Sequence, residues 1–112
     1  MGSNDEWLTH ARLLLEADLG QPLYVETVAR SMGMSYESFR KKFVRLAGVS
    51  PYRHRLNRII DQACRMLHEG RLSNKEIAER LGFNDEYHFS RRFKRITGRP
   101  PTQFRAPLLR NG

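Results

Sequence analysis

Residues 77–105 read IAERLGFNDEYHFSRRFKRITGRPPTQFR, and this stretch decides the fold. Apolar residues at helical spacing indicate a first helix, which ends at Gly82, a residue that offers the positive φ of a tight turn. Asn84 or Asp85 can cap a second helix, and Gly98 ends it. The stretch therefore predicts two helices joined by a glycine turn.

The second of these helices has two faces of different chemistry. At about 100° per residue, Phe89, Phe93 and Ile96 fall on one side. The other side carries polar and basic residues, namely Tyr87, His88, Arg91, Lys94 and Arg95. A short helix with one apolar and one basic face, held by a preceding helix, suits insertion into the major groove of DNA.

The charge distribution favours a polyanionic partner. Lys and Arg number 20 against 12 Asp and Glu, which gives a net charge of +8. Residues 1–39 carry two basic and six acidic residues, so their net charge is −4, and residues 40–112 carry +12. At 112 residues the chain can bury only a modest core, so a large enzymatic cleft is not expected.

Several classes of site and compartment find no support in the sequence. Cys64 is the single cysteine, so no intramolecular disulfide forms, and its helical position indicates a buried small hydrophobe. The histidines His10, His54, His68 and His88 do not share a metal-ligand spacing. Neither a nucleophile–base pair nor a phosphate loop is visible. We therefore expect no enzyme activity, no metal and no cofactor, and, without a membrane span or signal peptide, a cytoplasmic protein.

The rest of the chain also predicts helices. Three precede the central one, over residues 5–19, 25–33 and 36–47, with residues 1–3 set aside as a cloning remnant. Ser35 can cap the third of them.

A long helix over residues 51–69 follows, with Ser50 as N-cap and proline at its first position. Residues 73–76, Ser-Asn-Lys-Glu, form a capping box for the short helix before Gly82. A last short helix runs from Pro100 and Pro101 through Phe104 and is expected to fray near Asn111. No stretch alternates as a strand does, so the fold class is all-α.

The two halves of the chain repeat each other with one inserted residue. At an offset of 49, Ala29 matches Ala78 and Gly33 matches Gly82. At an offset of 50, aromatic, basic, glycine and proline positions match: Phe39 with Phe89, Lys41 with Arg91, Phe43 with Phe93, Arg45 with Arg95, Gly48 with Gly98, Pro51 with Pro101 and Arg55 with Arg105. The sequence therefore predicts two helix-turn-helix units in register.

Over about residues 5–105 the chain resembles the DNA-binding domain of the AraC/XylS family of bacterial transcription regulators. The most specific motifs are G-F-x(5)-F-S-R-x-F-K from Gly82 to Lys94 and G-x-x-P-x-x-F-R from Gly98 to Arg105.

The resemblance implies about seven helices, with two helix-turn-helix subdomains (5–50 and 71–108) joined by a long linker helix (51–70). Three positions depart from the pattern: His54 replaces an aromatic residue, Pro100 replaces Ser or Thr, and Tyr24 replaces a Ser or Thr cap.

The linker helix sets the expected mode of binding. Its 19 residues, at about 1.5 Å each, span roughly 28 Å. With its flanking turns it can hold two recognition helices about one DNA turn apart, roughly 34 Å. We therefore expect one chain to contact two successive major grooves and to bind an asymmetric site as a monomer.

Residues near the N-terminus of each recognition helix are expected to reach the bases. These are Glu37, Ser38, Arg40, Lys41, Glu86, Tyr87, His88 and Arg91, of which the resemblance implies base reading for all except Ser38 and Tyr87. The phosphate contacts are expected from Ser35, Lys42, Arg45, Ser50, Ser73, Ser90, Arg92, Arg95 and Arg99. Two alternatives stay open: Glu37 and Glu86 can instead orient an arginine, and Arg55 and Arg105 can bind helix ends rather than DNA.

Three functions remain, of which a sequence-specific transcription regulator explains the repeat, the charge asymmetry and the two-faced helices together. A non-specific architectural DNA-binding protein would explain the charge alone. A membrane-surface protein would need larger exposed apolar faces. The expected partners are double-stranded DNA and RNA polymerase, with no membrane. Because no sensing domain is visible, we expect the chain to be the C-terminal part of a longer protein, which can dimerise elsewhere.

Overall fold

The computed structural model describes residues 3–106, which form six α-helices and one 3₁₀-helix and contain no strand. The elements are α1 (Asn4–Leu15), α2 (Val25–Ser31), α3 (Tyr36–Ala47), α4 (Pro51–Glu69), α5 (Asn74–Arg80), α6 (Glu86–Thr97) and the 3₁₀-helix (Pro101–Gln103). The predicted all-α class is confirmed. The expected fraying near Asn111 lies outside the described residues.

The chain divides into two compact units, Met1–Arg58 (unit 1) and Ile59–Gly112 (unit 2). Helix α4 runs without interruption through the division. The subdomain bounds suggested by the sequence, 5–50, 51–70 and 71–108, stay a prediction.

Unit 1 is built on the packing of α1, α2 and α3 around an aromatic centre. The Phe39 ring lies 5.5 Å from the Trp7 ring and 6.0 Å from the Phe43 ring, measured between centroids. The buried residues of this core are Leu8, Ala11, Leu15, Val28, Ala29, Phe39 and Phe43. One side of α3 is thereby buried, and its basic side is left to solvent.

Unit 2 has a core of the same design, in which α6 packs on α5 and on the 3₁₀-helix. A row of phenylalanine rings runs through it, with centroid distances of 5.3 Å from Phe83 to Phe89, 5.7 Å from Phe89 to Phe93 and 5.0 Å from Phe93 to Phe104. Phe89 and Phe93 are fully buried, as predicted. Such rings supply much of the apolar burial available to a small domain.

The predicted internal repeat is confirmed in the length and capping of the helices. Helices α2 and α5 each have seven residues, and α3 and α6 each have twelve. The side chains of Ser35 and Asp85 cap α3 and α6, and Gly48 and Gly98 end them at φ values of 82° and 85°. The inserted residue lies in the turn, which has four residues before α3 and five before α6.

Helix α1 differs from its prediction at both ends. It begins at Asn4, because Ser3 forms a capping box with Glu6; setting residues 1–3 aside was therefore wrong for Ser3. It ends at Leu15 rather than Leu19, since the chain turns away through Asp18, whose φ is +45°.

The early end of α1 is explained by Arg55 of α4. Its guanidinium donates to the backbone carbonyls of Leu15 (2.8 Å), Ala17 (2.7 Å), Asp18 (2.8 Å) and Gln21 (2.7 Å). The last carbonyls of a helix have no hydrogen-bond donors within the helix. Here one buried arginine supplies donors to the carbonyls at and beyond the helix end. Burial lowers the pKa of this guanidinium from its ordinary value.

Arg105 has a similar role in unit 2, where it donates to the carbonyl of Leu72 (2.6 Å) and to the side chain of Asn74. The sequence left open whether Arg55 and Arg105 bind helix ends or DNA. The structure shows both side chains bound to the ends of neighbouring elements.

The three departures from the family pattern are accommodated locally. The His54 ring packs edge-on against Phe43 at 5.6 Å, as an aromatic residue would, and its Nε2 lies 2.7 Å from Glu16 Oε2. Tyr24 and Pro100 occupy N-cap positions and give no side-chain hydrogen bond to the helices that follow. These substitutions change the capping and leave the fold intact.

Candidate nucleic-acid interface

The N-terminal half of α3 presents a short polar surface in unit 1. Ser35 precedes the helix, and its hydroxyl accepts a hydrogen bond from the backbone N–H of Ser38 at 3.2 Å. Among the predicted base contacts, Glu37, Ser38 and Lys41 are exposed and Arg40 is half-buried. All four therefore share one helix surface, opposite the buried Phe39 and Phe43.

Two of these four residues are paired with each other. A terminal guanidinium nitrogen (NH2) of Arg40 donates to Glu37 Oε1 at 2.8 Å. This hydrogen bond holds the pKa of the Glu37 carboxyl below its ordinary value and raises that of Arg40. The structure therefore shows Glu37 orienting an arginine, which was one of the two roles left open by the sequence.

Helix α6 presents the corresponding surface in unit 2. Asp85 caps it, accepting from the backbone N–H of His88 at 2.8 Å. Tyr87 is 69% exposed, and Arg91, Lys94 and Arg95 are exposed as well. The side chains of Tyr87 and Arg91 lie one helical turn apart on this surface.

His88 and Glu86 do not share the full exposure of their neighbours. The His88 ring lies edge-on to Phe83 at 5.4 Å, and its Nδ1 is buried with no hydrogen-bond partner in the described part of the chain. Glu86 is the first residue of α6 and lines a surface cleft with Arg71 and Arg105. The outward position predicted for His88 is therefore only partly confirmed.

The helix register shows which residues of the two units correspond. Because α3 and α6 match at an offset of 50, Glu37 corresponds to Tyr87 and Arg40 to Ser90. The residue that corresponds to Glu86 is Tyr36, which is 41% exposed and was not among the predicted contacts. The repeat carries the signal for Tyr36, because the offset of 50 applies to every position of α3 and pairs Tyr36 with the predicted contact Glu86.

The serines predicted to contact phosphates have structural roles as acceptors. Ser50 accepts from the backbone N–H of Arg53 at 3.1 Å, and Ser73 accepts from that of Glu76 at 3.0 Å. A hydroxyl that accepts one hydrogen bond can still donate its own proton. Ser90 is half-buried in the middle of α6.

The basic residues predicted to contact phosphates differ in their exposure and in their contacts with the rest of the protein. Lys42 lies over the Trp7 ring, with Nζ 4.6 Å from the centroid, so a cation–π contact holds its side chain against α1. Arg45, Arg95 and Arg99 are exposed, whereas Arg92 is half-buried.

Positive charge is concentrated on the two helices in equal measure. Helix α3 has four basic residues and one acidic residue, and so does α6, so each carries a net charge of +3. A helix with this charge and an exposed polar surface can approach a phosphate backbone and still bring hydrogen-bonding side chains to base edges.

The described residues contain neither a metal-binding cluster nor a membrane-spanning helix. Between residues 3 and 106 no group of three or more His, Cys, Asp or Glu side chains could hold a metal ion. No helix in that range is both long enough and apolar enough to cross a membrane. Cys64 is half-buried, and burial raises the pKa of its thiol.

Comparison with known proteins places these features in a family. The family described as "Helix-turn-helix domain" matches residues 28–107. The uncharacterized HTH-type transcriptional regulator YfiF of Bacillus subtilis is 35% identical over 88% of this chain and 31% of its own length. The chain spans between 27% and 39% of the length of eight curated relatives that it matches.

Solved structures show the same fold. A Chromobacterium violaceum transcriptional regulator, described as an AraC-type DNA-binding domain-containing protein, has a TM-score of 0.82 at 27% identity, covering 94% of each chain. The DNA-binding domain of the global transcriptional factor AdpA, solved in complex with a target DNA, has a TM-score of 0.77 at 28% identity, covering 87% of each chain. The chain therefore belongs to the AraC-type helix-turn-helix family, which includes the DNA-binding domains of transcription regulators.

Proposed function

We propose that this chain binds a specific double-stranded DNA site through α3 and α6, each inserted into one of two successive major grooves. The observation that carries the proposal is the pair of equally long, equally charged helices in register, each with a polar N-terminal half. In helix-turn-helix proteins the N-terminal residues of the second helix contact base edges. The relative AdpA was solved with target DNA bound, which supports the same role here.

The linker helix supports the use of two grooves. Helix α4 has 19 residues, so its axis is roughly 28 Å long. Successive major-groove faces of B-DNA are roughly 34 Å apart. We propose that a single chain supplies both contacts and binds an asymmetric site as a monomer.

The contacts assigned by this proposal are those expected from the sequence. Base contacts come from Glu37, Ser38, Arg40, Lys41, Glu86, Tyr87, His88 and Arg91, with Tyr36 added by the register of the repeat. Phosphate contacts come from Ser35, Lys42, Arg45, Ser50, Ser73, Ser90, Arg92, Arg95 and Arg99. Within this set Lys41 and Arg91 correspond at an offset of 50, and both are exposed.

The proposal is tested by selecting binding sites from a random oligonucleotide pool and then measuring affinity with Lys41→Ala and Arg91→Ala. We expect each variant to lose discrimination, by about 5- to 150-fold, at a base pair in a different half of the site, since a good side-chain contact to a base contributes about 1–3 kcal/mol. Arg30→Ala is the matched control, because Arg30 is exposed on α2, outside both recognition helices.

Two results would contradict the proposal. A wild-type affinity ratio near one between selected and random DNA would indicate a non-specific architectural protein. Losses from Lys41→Ala and Arg91→Ala at the same base pair would show that only one groove is read.

The names of the longer relatives, which describe them as transcriptional or operon regulators, extend the proposal to a second partner. A regulator that binds promoter DNA acts on transcription by helping or hindering RNA polymerase, so we propose the polymerase as a second partner. Its place of action is then the bacterial cytoplasm, where the chromosome lies.

A further inference from the structure

We infer that Glu37 determines specificity by positioning Arg40, so that α3 requires a guanine at one base pair and a cytosine at the neighbouring one. The inference rests on the proposed function and deepens it, because it names the bases that one half of the site must contain. The observation behind it is the 2.8 Å hydrogen bond from Arg40 to Glu37 on the exposed surface of α3.

The geometry of the pair leaves the arginine able to read a base. A guanidinium has five N–H donors, and the bond to Glu37 uses one of them. Guanine offers two acceptors in the major groove, O6 and N7, and a bidentate arginine contact needs only two donors. Because Glu37 limits the rotation of the side chain, less conformational entropy is lost when Arg40 meets a guanine.

The carboxylate itself adds a second requirement. Glu37 Oε1 accepts from Arg40, and within residues 3–106 the structure shows no hydrogen bond to Oε2. Stacked bases are about 3.4 Å apart along a strand, a distance close to the length of the Arg40–Glu37 bond. A cytosine amino group next to the guanine can therefore donate to the carboxylate. The oxygen of a thymine or guanine at that place would be repelled, and an adenine, although it has an amino group, also places its N7 acceptor against the carboxylate.

The second recognition helix, α6, lacks a glutamate–arginine pair at these positions. At the offset of 50 the residues that correspond to Glu37 and Arg40 are Tyr87 and Ser90. Three residues after Glu86 the chain has Phe89, which is buried and cannot pair with a carboxylate. The coupled requirement for guanine and cytosine is thus confined to the half of the site contacted by α3, and the two half-sites differ in sequence.

The test measures equilibrium binding of the full chain to its selected site and to all single base-pair changes in the half contacted by α3. That half is identified as the one where Lys41→Ala loses discrimination. The variants are Glu37→Ala, Glu37→Gln, Arg40→Ala and the double variant. Glu26→Ala is the matched control, because it removes an exposed carboxylate from the first turn of α2 in the same unit.

We expect Glu37→Ala to lower the affinity ratio that favours guanine at the Arg40 base pair by about 10-fold. The ratio that favours cytosine at the neighbouring base pair should also fall by about 10-fold, which removes that preference. Glu37→Gln should keep the guanine preference and shift the neighbouring preference from cytosine to adenine, because an amide pairs with adenine N6 and N7. Once Arg40 is alanine, removing Glu37 should no longer change the choice at the Arg40 base pair. Glu26→Ala should change neither preference.

Three outcomes would overturn the inference. One is a uniform change of affinity on all sequences in Glu37→Ala, which would make Glu37 only a charge. Another is a loss of thermal stability without any change in base preference, which would make the pair only a helix contact. The third is full additivity of the two substitutions at the Arg40 base pair. Absence of any sequence preference in the wild type is a distinct result, because it removes the proposed function first and this inference with it.

Discussion

Replacement of Arg55 by alanine should destabilise unit 1 by about 3–5 kcal/mol. The Arg55 side chain donates to four backbone carbonyls around the end of α1, and Arg55 is only 7% exposed. The bond to Leu15 is buried, so its loss leaves a buried acceptor unsatisfied, at about 1–3 kcal/mol. Each of the other three is partly buried, and water can replace it at about 0.5–1 kcal/mol.

The assay is urea denaturation followed by the fluorescence of Trp7, which is the only tryptophan in the chain and packs on Phe39 in unit 1. Arg55→Lys should recover at most half of the loss, because one ammonium group cannot reach four carbonyls as a planar fork can. Arg105→Ala is the comparison in unit 2, where two partners predict about 1–3 kcal/mol. Its unfolding is followed by far-UV circular dichroism, because Trp7 lies in unit 1.

The reasoning would be refuted by an Arg55→Ala protein whose free energy of unfolding lies within about 0.5 kcal/mol of the wild type. A loss of DNA affinity without a loss of stability would show instead that Arg55 contacts DNA. The structure predicts the reverse, since the side chain is enclosed by the carbonyls that it binds.

Three further predictions concern the core, the salt dependence and the caps. Phe93→Ala should cost about 3–5 kcal/mol in thermal or urea unfolding, as a fully buried aromatic deletion, and unchanged stability would contradict its place in the core. DNA affinity should fall by about 10³–10⁵ between 50 and 200 mM salt if six to ten phosphates are contacted, and a flat dependence would contradict the electrostatic argument. Hydrogen bonds with Ser73 lower the pKa of Glu76 below its ordinary 4.5. The charged carboxylate therefore stabilises the folded protein fully above pH 4.5, and this contribution is lost as the pH falls through the lowered pKa. Glu76→Gln should therefore be less stable than the wild type at pH 7 and equal to it in strong acid, and a difference that persisted there would contradict the assignment.

The sequence predicted the local features of the fold well because their causes are local. A serine followed by a glutamate three residues later is enough to form the capping box at Ser73 and Glu76. Gly48 and Gly98 end their helices because they reach a positive φ without strain. The repeat indicates the register of both helix pairs, since the same residue types recur at the same helix positions.

The end of α1 could not be predicted in this way, because its cause is distant in sequence. Apolar residues continue to Leu19, and the periodic pattern alone extends the helix to that point. The chain leaves the helix at Leu15 because Arg55, 40 residues further on, binds the carbonyls of the turn. An arginine in a sequence does not show which carbonyls it will meet.

The candidate site was predicted by residue type more than by position. By residue type Glu37 and Glu86 are equivalent, because both are glutamates at the start of a recognition helix. The register pairs Glu37 with Tyr87, and Glu86 lies instead at a cleft lined by Arg71 and Arg105. The half-burial of His88 also depends on the ring of Phe83, whose packing follows from the tertiary fold.

The central claim is that one chain places two recognition helices in successive major grooves. Affinity for a selected site is measured before and after five base pairs are inserted between its two halves, with each half alone as the reference. Half a helical turn rotates one half-site to the opposite face of the duplex, so we predict that the affinity falls to that of a single half. An affinity that is unchanged by the insertion would contradict the account.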